Sequence, residues 1–509
     1  MHAAVESRLW VRLPLFLLIW GTAALSMALP AIHALVRGNY PVFRSFAMAG
    51  GLGMVAVILI ALSGVPRSGN WTRSQLLSLL GTFAILPGYL AVPLHDALQT
   101  TTFLNAYFDM VSAITTTGAD IFNDPDRLGA TLHLWRAQVG WMGGLFMWVA
   151  AAAILAPLSL GGFEITARSQ LGRGTDIPLQ QKAADPRYRL VRITKTLAPL
   201  YAGLTIVAWV LLLMSGDTSL VALSHAMSVM ATSGISPVGG LTNMSSGLAG
   251  EFVMFMFMFF ALSRLTFSSD TALLGAARLT QDPEFRIGLL LILGVPSLLF
   301  LRHFLGAYDV DAVNQVGAAL QAFWGAMFTV MSFLTTTGFV SADWEQARLW
   351  SGLETPGMIL MGLAVMGGGV ATTAGGVKLL RVYALYLNGL RELQLLVHPS
   401  SIGAQLKGRQ RIRKGGAFIA WMSFMLFALT LAVLIVVLAA TGVDFEQAVV
   451  LAIATLSTTG PLIDVVSETP IYLIDLGPLA KGILCAAMVL GRLETLAIIA
   501  LFTPSLWRN

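Results

Sequence analysis

The sequence predicts an all-α polytopic membrane protein: four parallel span–pore loop–span repeats around a pseudo-fourfold central pore, plus two extra N-terminal spans. Three observations predict it. Of 509 residues, 56% are hydrophobic and only 11% charged, with a mean hydropathy of +0.77, whereas a soluble chain carries about 25% charged residues. Ten apolar runs approach the ~20 residues that a spanning helix needs. Four shorter runs are about half that length, and each ends in a Thr/Ser–Gly signature.

The first run, 13–36, follows Arg8 and Arg12. It is longer than the ~7–15 apolar residues of a signal peptide, and another run at 45–65 follows closely, so it reads as a retained span. These two runs form an N-terminal hairpin over 1–70. The next unit, 71–165, holds runs 75–94 and 132–158 around the half-run 104–114. Unit 190–282 holds 197–215, 219–231 and 249–267; unit 283–390 holds 287–304, 321–334 and 356–380; unit 412–509 holds 417–441, 446–456 and 478–502. The half-runs end in "ITTTGAD" from Ile114, "MATSGIS" from Met230, "LTTTGFV" from Leu334 and "LSTTGPL" from Leu456. Gly118, Gly234, Gly338 and Gly460 lie 116, 104 and 122 positions apart, and such regular recurrence marks four copies of one unit. Two full spans per copy return the chain to its starting side, so the copies are parallel and not inverted.

Charge placement sets the expected orientation. Arg168, Arg173, Lys182, Arg187, Arg189, Arg192 and Lys195 crowd one inter-run segment; Arg391, Lys407, Arg409, Arg411, Arg413 and Lys414 crowd another. Both belong in the cytoplasm together with the N-terminus, which leaves all four half-runs on the outer side. The net charge of +5 is dispersed in these short segments, so nucleic acid is not a partner; the lipid bilayer is. The single cysteine, Cys485, forms no intramolecular disulfide, and no Cys/His cluster has metal-ligand spacing. No HExxH, Walker or dinucleotide fingerprint occurs.

A helix that stops at membrane depth must have its freed backbone groups shielded by protein or placed against a wet cavity. Four such ends meeting at one axis provide that. Rings of inward carbonyls replace a cation's hydration shell, glycine reaches the required dihedrals without a Cβ penalty, and the half-helix C-termini add partial negative charge. Threonine and serine hydroxyls tie the strand down or supply further oxygens. One Thr-Thr-Gly alone reads as a helix C-cap; four in register read as a filter.

The run from Pro356 contains "GGGVATTAGG", Gly367 to Gly376. Its five glycines, at about 1 kcal/mol each, remove roughly 5 kcal/mol of helix propensity. Either small residues pack helices closely there, or the segment is an irregular loop lining the pore. Arg492, near the middle of the last run, costs about 2.5–3.5 kcal/mol to insert. Glu494 is two positions away and faces elsewhere, so Arg492 pairs with another helix or stands as a positive barrier in the cation's path. Lys378 and Arg381 read as snorkelling cytoplasmic ends, Arg264 as interfacial, and Asp109 and His225 as partners of nearby backbone.

The four units resemble the span–pore loop–span repeats of the Trk/Ktr/HKT potassium transporter superfamily, most closely its TrkH branch, whose two extra N-terminal spans KtrB lacks. Further stretches are similar: "LGGFEITARS" from Leu160, "QDPEFR" from Gln281, "GGGVATTAGGVK" from Gly367 and "VLGRLETLAIIALFTPSLWR" from Val489. The resemblance implies potassium uptake across a bacterial inner membrane, with no enzymatic activity and no cofactor beyond the potassium bound in transit. It places the ion contacts at Thr116, Thr117 and Gly118; Thr232, Ser233 and Gly234; Thr336, Thr337 and Gly338; and Thr458, Thr459 and Gly460. Serine replaces the first filter glycine in sodium-passing relatives, so four glycines resemble the potassium-selective pattern. Ser233 departs from the threonine of the other loops but keeps a hydroxyl. The resemblance also implies an intramembrane gate at Gly367, Gly368, Gly369, Thr372, Thr373, Gly375 and Gly376 beside Arg492, a homodimer, and a cytosolic TrkA-like nucleotide-binding regulatory subunit.

Two other classes compete. A proton-coupled secondary transporter for a small solute needs mid-membrane acidic or histidine relays, which are few here. A membrane-embedded enzyme needs paired catalytic residues at depth, and the sequence offers none.

Overall fold

A computed structural model describes residues 13–63, 71–122, 124–157, 186–263, 282–306, 316–353, 355–398, 414–467 and 469–493. Every regular element among them is helical. The N-terminal part contains α1 (Leu15–Ser26), α2 (Ala28–Val36) and α3 (Tyr40–Leu62). Asn39 caps α3 by accepting from the Val42 N–H, with Pro41 in the first turn. The chain continues as α4 (Trp71–Ala84), α5 (Leu86–Ala97), α6 (Phe103–Ile114) and α7 (Ala130–Ala150), which runs on as one π turn over Ala151–Leu155. The second unit holds α8 (Pro186–Met214), α9 (Ser219–Ala231) and α10 (Gly247–Met258). The third holds α11 (Pro283–Gly306), α12 (Val316–Leu334), α13 (Trp344–Ser351), α14 (Gly357–Met366) and α15 (Leu379–Val397); the fourth holds α16 (Lys414–Ala440), α17 (Phe445–Leu456), α18 (Leu462–Val466) and α19 (Pro478–Leu493).

Eight stretches among the described residues are long and apolar enough to cross a membrane. Their outward faces are greasy: Leu52, Val55 and Ile58 on α3, Ile206 and Val210 on α8, and Leu429, Val433 and Val436 on α16 are exposed. A contiguous apolar surface of this kind is a lipid-facing one.

The packing order is informative. Each half-helix pairs with the helix before it: α6 with α5, α9 with α8, α12 with α11 and α17 with α16. The half-helices and the helices that follow them then touch in sequence: α6–α7–α9–α10–α12–α14–α17–α19 and back to α6. This closed ring is the core of the molecule. The N-terminal helices pack outside it, with α1 on α3 and α4, and α2 on α7. Close approach there depends on size: a Cβ at Gly53 would overlap the Tyr89 hydroxyl, which donates to the Ala49 carbonyl at 2.9 Å.

Three expectations about length need correction. The third half-run is a 19-residue helix, long enough to count as a span, although it is exposed at 320–321 and continuously buried only from about Phe328. The apolar pattern cannot tell an extension outside the ring from the part inside it. The run at 249–267 gives twelve helical residues and a 3₁₀ turn at Phe259–Ala261. The run at 356–380 gives only the ten residues of α14 before the glycines end it. The segments carrying Arg8, Arg12, Arg168, Arg173, Lys182, Arg264, Lys407, Arg409, Arg411, Arg413 and Glu494 lie outside the described residues.

Candidate functional site

Each of the four half-helices ends the same way. Two residues before its glycine stands a threonine in the left-handed region: Thr116 at φ 55°, Thr232 at 51°, Thr336 at 56° and Thr458 at 54°. The following N–H then reaches back five residues: Thr117 to Ser112 O (2.9 Å), Ser233 to Ser228 O (2.9 Å), Thr337 to Ser332 O (2.8 Å) and Thr459 to Ala454 O (2.8 Å). This is the six-to-one closure of a Schellman end, with threonine where glycine usually stands. A β-branched residue at positive φ is a genuine outlier. Four of them in register make one repeated device.

The hydroxyls divide by position. At the second place each ties to a hydroxyl behind it: Thr117 to Thr115 (2.8 Å), Ser233 to Ser228 (3.1 Å), Thr337 to Thr335 (3.0 Å) and Thr459 to Ser457 (3.2 Å). At the left-handed place the four differ. The Oγ1 atoms of Thr116 and Thr458 are buried without a hydrogen-bond partner among the described residues. Thr232 donates to the Ala231 carbonyl, and Thr336 accepts from the Gly375 N–H at 2.7 Å. Ser233 therefore fills its place as the threonines do.

The loops are mutual neighbours. A Cβ at Gly118 would overlap the Ser233 carbonyl oxygen, and one at Gly234 the Thr337 carbonyl oxygen. One at Gly338 would press on Pro461, and one at Gly460 would overlap Ala119. The Gly460 N–H donates to Thr117 O at 2.5 Å, closing the circuit from the fourth loop to the first. Gly118, Gly234 and Gly338 have φ of 70°, 64° and 86°; Gly460, followed by Pro461, is outside the positive region.

The glycine-rich segment after α14 is irregular and crosses the helix side of these loops. Thr373 donates to Met230 O, Gly375 meets Thr336, and a Cβ at Gly375 would overlap Ser457 O and Thr458 Oγ1. Farther along, Thr372 Oγ1 donates to Gly369 O, Gly369 N–H to Ala261 O, and Val370 N–H to the Glu284 carboxylate at 2.8 Å. Gly367 and Gly376 lie backbone against backbone, and Gly368 lies against Ala261. Arg492 is 3% exposed, and its guanidinium donates to Thr373 O at 2.6 Å. The structure thus brings Arg492, Thr373 and three of the four loops together.

Four side-chain expectations change. Lys378 and Arg381 do not snorkel: both are buried, and Lys378 Nζ turns back to the Ala374 carbonyl, capping the glycine segment. Asp109 is no backbone partner; it is 1% exposed and pairs with Arg136 at 2.9 Å, which also holds Asp120 at 2.8 Å, two residues past Gly118. His225 Nε2 meets the Ser236 hydroxyl at 2.9 Å, not backbone. The sequence reading missed Arg136, Asp120, Thr115 and Thr335; the first threonine of each TTTG triplet was the available signal for the last two.

The TrkH family model, a cation transport protein family, matches residues 86–508. The chain is 32% identical over 446 residues to the Trk system potassium uptake protein TrkH of Halomonas elongata, covering 87% of this chain and 86% of that one. It is 30% identical over 413 residues to the TrkH of Escherichia coli K12, with 80% of each covered, and 28% identical over 502 residues to that organism's TrkG. The crystal structure of the potassium transporter TrkH from Vibrio parahaemolyticus superposes with a TM-score of 0.80 at 26% identity, covering 98% of this chain and 99% of that one.

The charged group behind the first loop makes a stability prediction. Replacing Arg136 by methionine strands a buried carboxylate at Asp109, a loss of about 3–5 kcal/mol. Adding Asp109→Leu should recover most of it, because an apolar pair of similar volume replaces the ions. Thermal unfolding of the detergent-solubilised protein, followed by fluorescence-detected size exclusion, checks both. Equal melting of Arg136→Met and wild type would refute the structural role.

Proposed function

The chain belongs to the TrkH family of cation transport proteins, and from that premise we propose that it takes up potassium through a filter built from its four Thr/Ser–Gly loops. It is a transporter and not an enzyme, a multi-pass membrane protein with eight long apolar helices among its described residues. The observation that carries the filter is the repeated left-handed threonine, joined by the circuit of loop contacts from Gly118 through Gly234 and Gly338 to Gly460. Four parallel repeats at 71–165, 190–282, 283–390 and 412–509 then surround one pseudo-fourfold axis, with the hairpin of 1–70 outside. Carbonyls of Thr117, Ser233, Thr337 and Thr459, with the hydroxyls of Thr116 and Thr458, supply oxygens for a dehydrated monovalent cation. The bilayer is the bacterial inner membrane, with the N-terminus cytoplasmic.

Ion flux into proteoliposomes tests this. The assay belongs at pH 7.5, above the value of about 6 to which partial desolvation and the neighbouring Asp120 charge raise the Asp464 carboxyl, so that this solvent-accessible group is ionised throughout. Potassium and rubidium should pass well, and sodium and lithium poorly. Gly118→Ser should cut the potassium preference by roughly tenfold, equivalent to about 1.4 kcal/mol, because its Cβ meets a backbone carbonyl that cannot swing away. Equal sodium and potassium flux in the unmodified protein would sink the filter reading.

The segment Gly367–Gly376 and Arg492 form the gate in this reading. The bond from Arg492 to Thr373 O is a charged one, worth about 1.5–3 kcal/mol, or roughly tenfold to a hundredfold in a closed–open equilibrium. Arg492→Ala, or deletion of Val370–Thr373, should raise basal potassium flux with ion preference unchanged. Abolished flux in a folded variant would mean that these residues support conduction.

The family's name for its relatives, a Trk system, supports partner subunits. A homodimer with a TrkA-like nucleotide-binding ring beneath it fits the basic segments at Arg189–Lys195 and Arg391 and the absence of a nucleotide motif in this chain. Tagged protein should co-purify such a ring, and its flux should respond to bound nucleotide. An unchanged nucleotide response in cells lacking every such subunit would contradict it.

A further inference from the structure

We infer that Glu251 is a positioning residue of the third filter loop, reaching it from the preceding repeat and setting ion preference from behind the filter. The inference rests on the filter reading given above.

The three loops with side-chain anchors beyond their glycines are held by different chemistries. Asp120, two residues past Gly118, is gripped by Arg136 of its own unit. Ser236, two past Gly234, meets His225 of its own half-helix. Ser341, three past Gly338, is held by Glu251 on α10, in the unit before. Glu251 is 2% exposed. Its Oε2 accepts from Ser341 Oγ at 2.8 Å and from Trp324 Nε1 at 2.9 Å, and its Oε1 accepts from the Ala342 N–H at 2.6 Å. Indole and amide N–H groups can only donate, so the set suits a carboxylate that accepts on both oxygens. No cationic side chain lies within ion-pairing distance of it among the described residues.

A buried carboxylate with no counter-cation is expensive, and packing two helices does not require one. Its bonds explain what it does. Two go to consecutive residues of the post-glycine strand, which they fix to α10, and the third, from Trp324 on the half-helix α12, steadies the carboxylate itself. Ser341 is further held by its N–H to Thr329 Oγ1 at 3.3 Å, also on α12. The strand carrying Gly338 is therefore clamped at its outer end. A fixed, unneutralised negative charge is added behind the filter, where it favours a cation.

The test compares Glu251→Gln, Ser341→Ala and Trp324→Phe in the full-length protein, scored by monodispersity in size exclusion and by rubidium uptake into proteoliposomes with sodium as competitor. Glu251→Gln keeps the shape but turns an acceptor into a donor facing donors; Ser341→Ala removes one bond to the strand. Both should lower the preference for rubidium over sodium by roughly threefold to tenfold, the range that loss of one or two hydrogen bonds allows. Trp324→Phe keeps both strand bonds and should leave the preference within about twofold. If Glu251→Gln fails to fold, Ser341→Ala decides alone. Folded variants with unaltered preference overturn the inference, as does a loss of flux without a change of preference, or an equal effect of Trp324→Phe. A wild-type protein that does not prefer rubidium overturns the filter reading itself, and this is seen before any variant is measured.

Discussion

Everything at the centre of this molecule depends on four threonines held where threonine is unwelcome. A residue in a sparsely populated backbone region costs about 1–3 kcal/mol and persists only when its surroundings over-determine it. Here each is fixed on both sides. The next N–H closes onto a carbonyl five residues back, and the next hydroxyl ties to another behind it. Glycine would satisfy the dihedral at no cost, yet it would lack the hydroxyl. The sequence keeps the strain and with it four hydroxyls, two of them, on Thr116 and Thr458, buried without a hydrogen-bond partner among the described residues. In the proposed filter these two hydroxyls are free to turn to the passing cation.

The same geometry explains what was legible beforehand. The Thr/Ser–Gly endings announce themselves because the chemistry is local: hydroxyl, turn and glycine occupy consecutive positions. The order of the repeats followed from spacing, and helix packing runs in that chain order. Charge partners were illegible because they join residues with no sequence relation. Asp109 meets Arg136 across two helices, and Glu251 meets Ser341 ninety positions away. Lys378 and Arg381 misled for a related reason. At the end of an apolar run a cation ordinarily snorkels, and only the path of the broken segment turns them back into the protein. The apolar signal also could not mark where α12 enters the ring, since hydrophobicity is the same in lipid and in protein.

The glycines of the broken segment turn out to serve close approach more than looseness. Gly375 lets backbone come against Ser457 O and Thr458; Gly368 and Gly369 do so against Ala261 and Leu262; Gly367 and Gly376 do so against each other. Side chains at these places would overlap main chain, which cannot rearrange as a rotamer can. The roughly 5 kcal/mol of lost helix propensity is thus offset by hydrogen bonds from main-chain N–H groups, of Gly375 to the Thr336 hydroxyl, of Gly369 to the Ala261 carbonyl and of Val370 to the Glu284 carboxylate. The segment is tied to the Thr/Ser–Gly loops at one end and to the start of α11 at the other.

In the proposed gate, Arg492 supplies the opposing term. A guanidinium offers five donors, and this one is buried with a single bond to Thr373 O, its Nε and one terminal nitrogen having no hydrogen-bond partner among the described residues. A charge so poorly compensated raises the energy of this arrangement, while the bond it does make lowers that energy. Water admitted beside the arginine would satisfy the idle donors and weaken the reason to stay shut. Stitches along the glycine segment therefore hold the proposed gate closed against an arginine that gains from hydration. In the proposed gate, a push at either end, from a cation at the Thr336 hydroxyl or from a movement of α11 at Glu284, would act on the balance of these two opposing terms. A gate held by one strong lock would not respond to either.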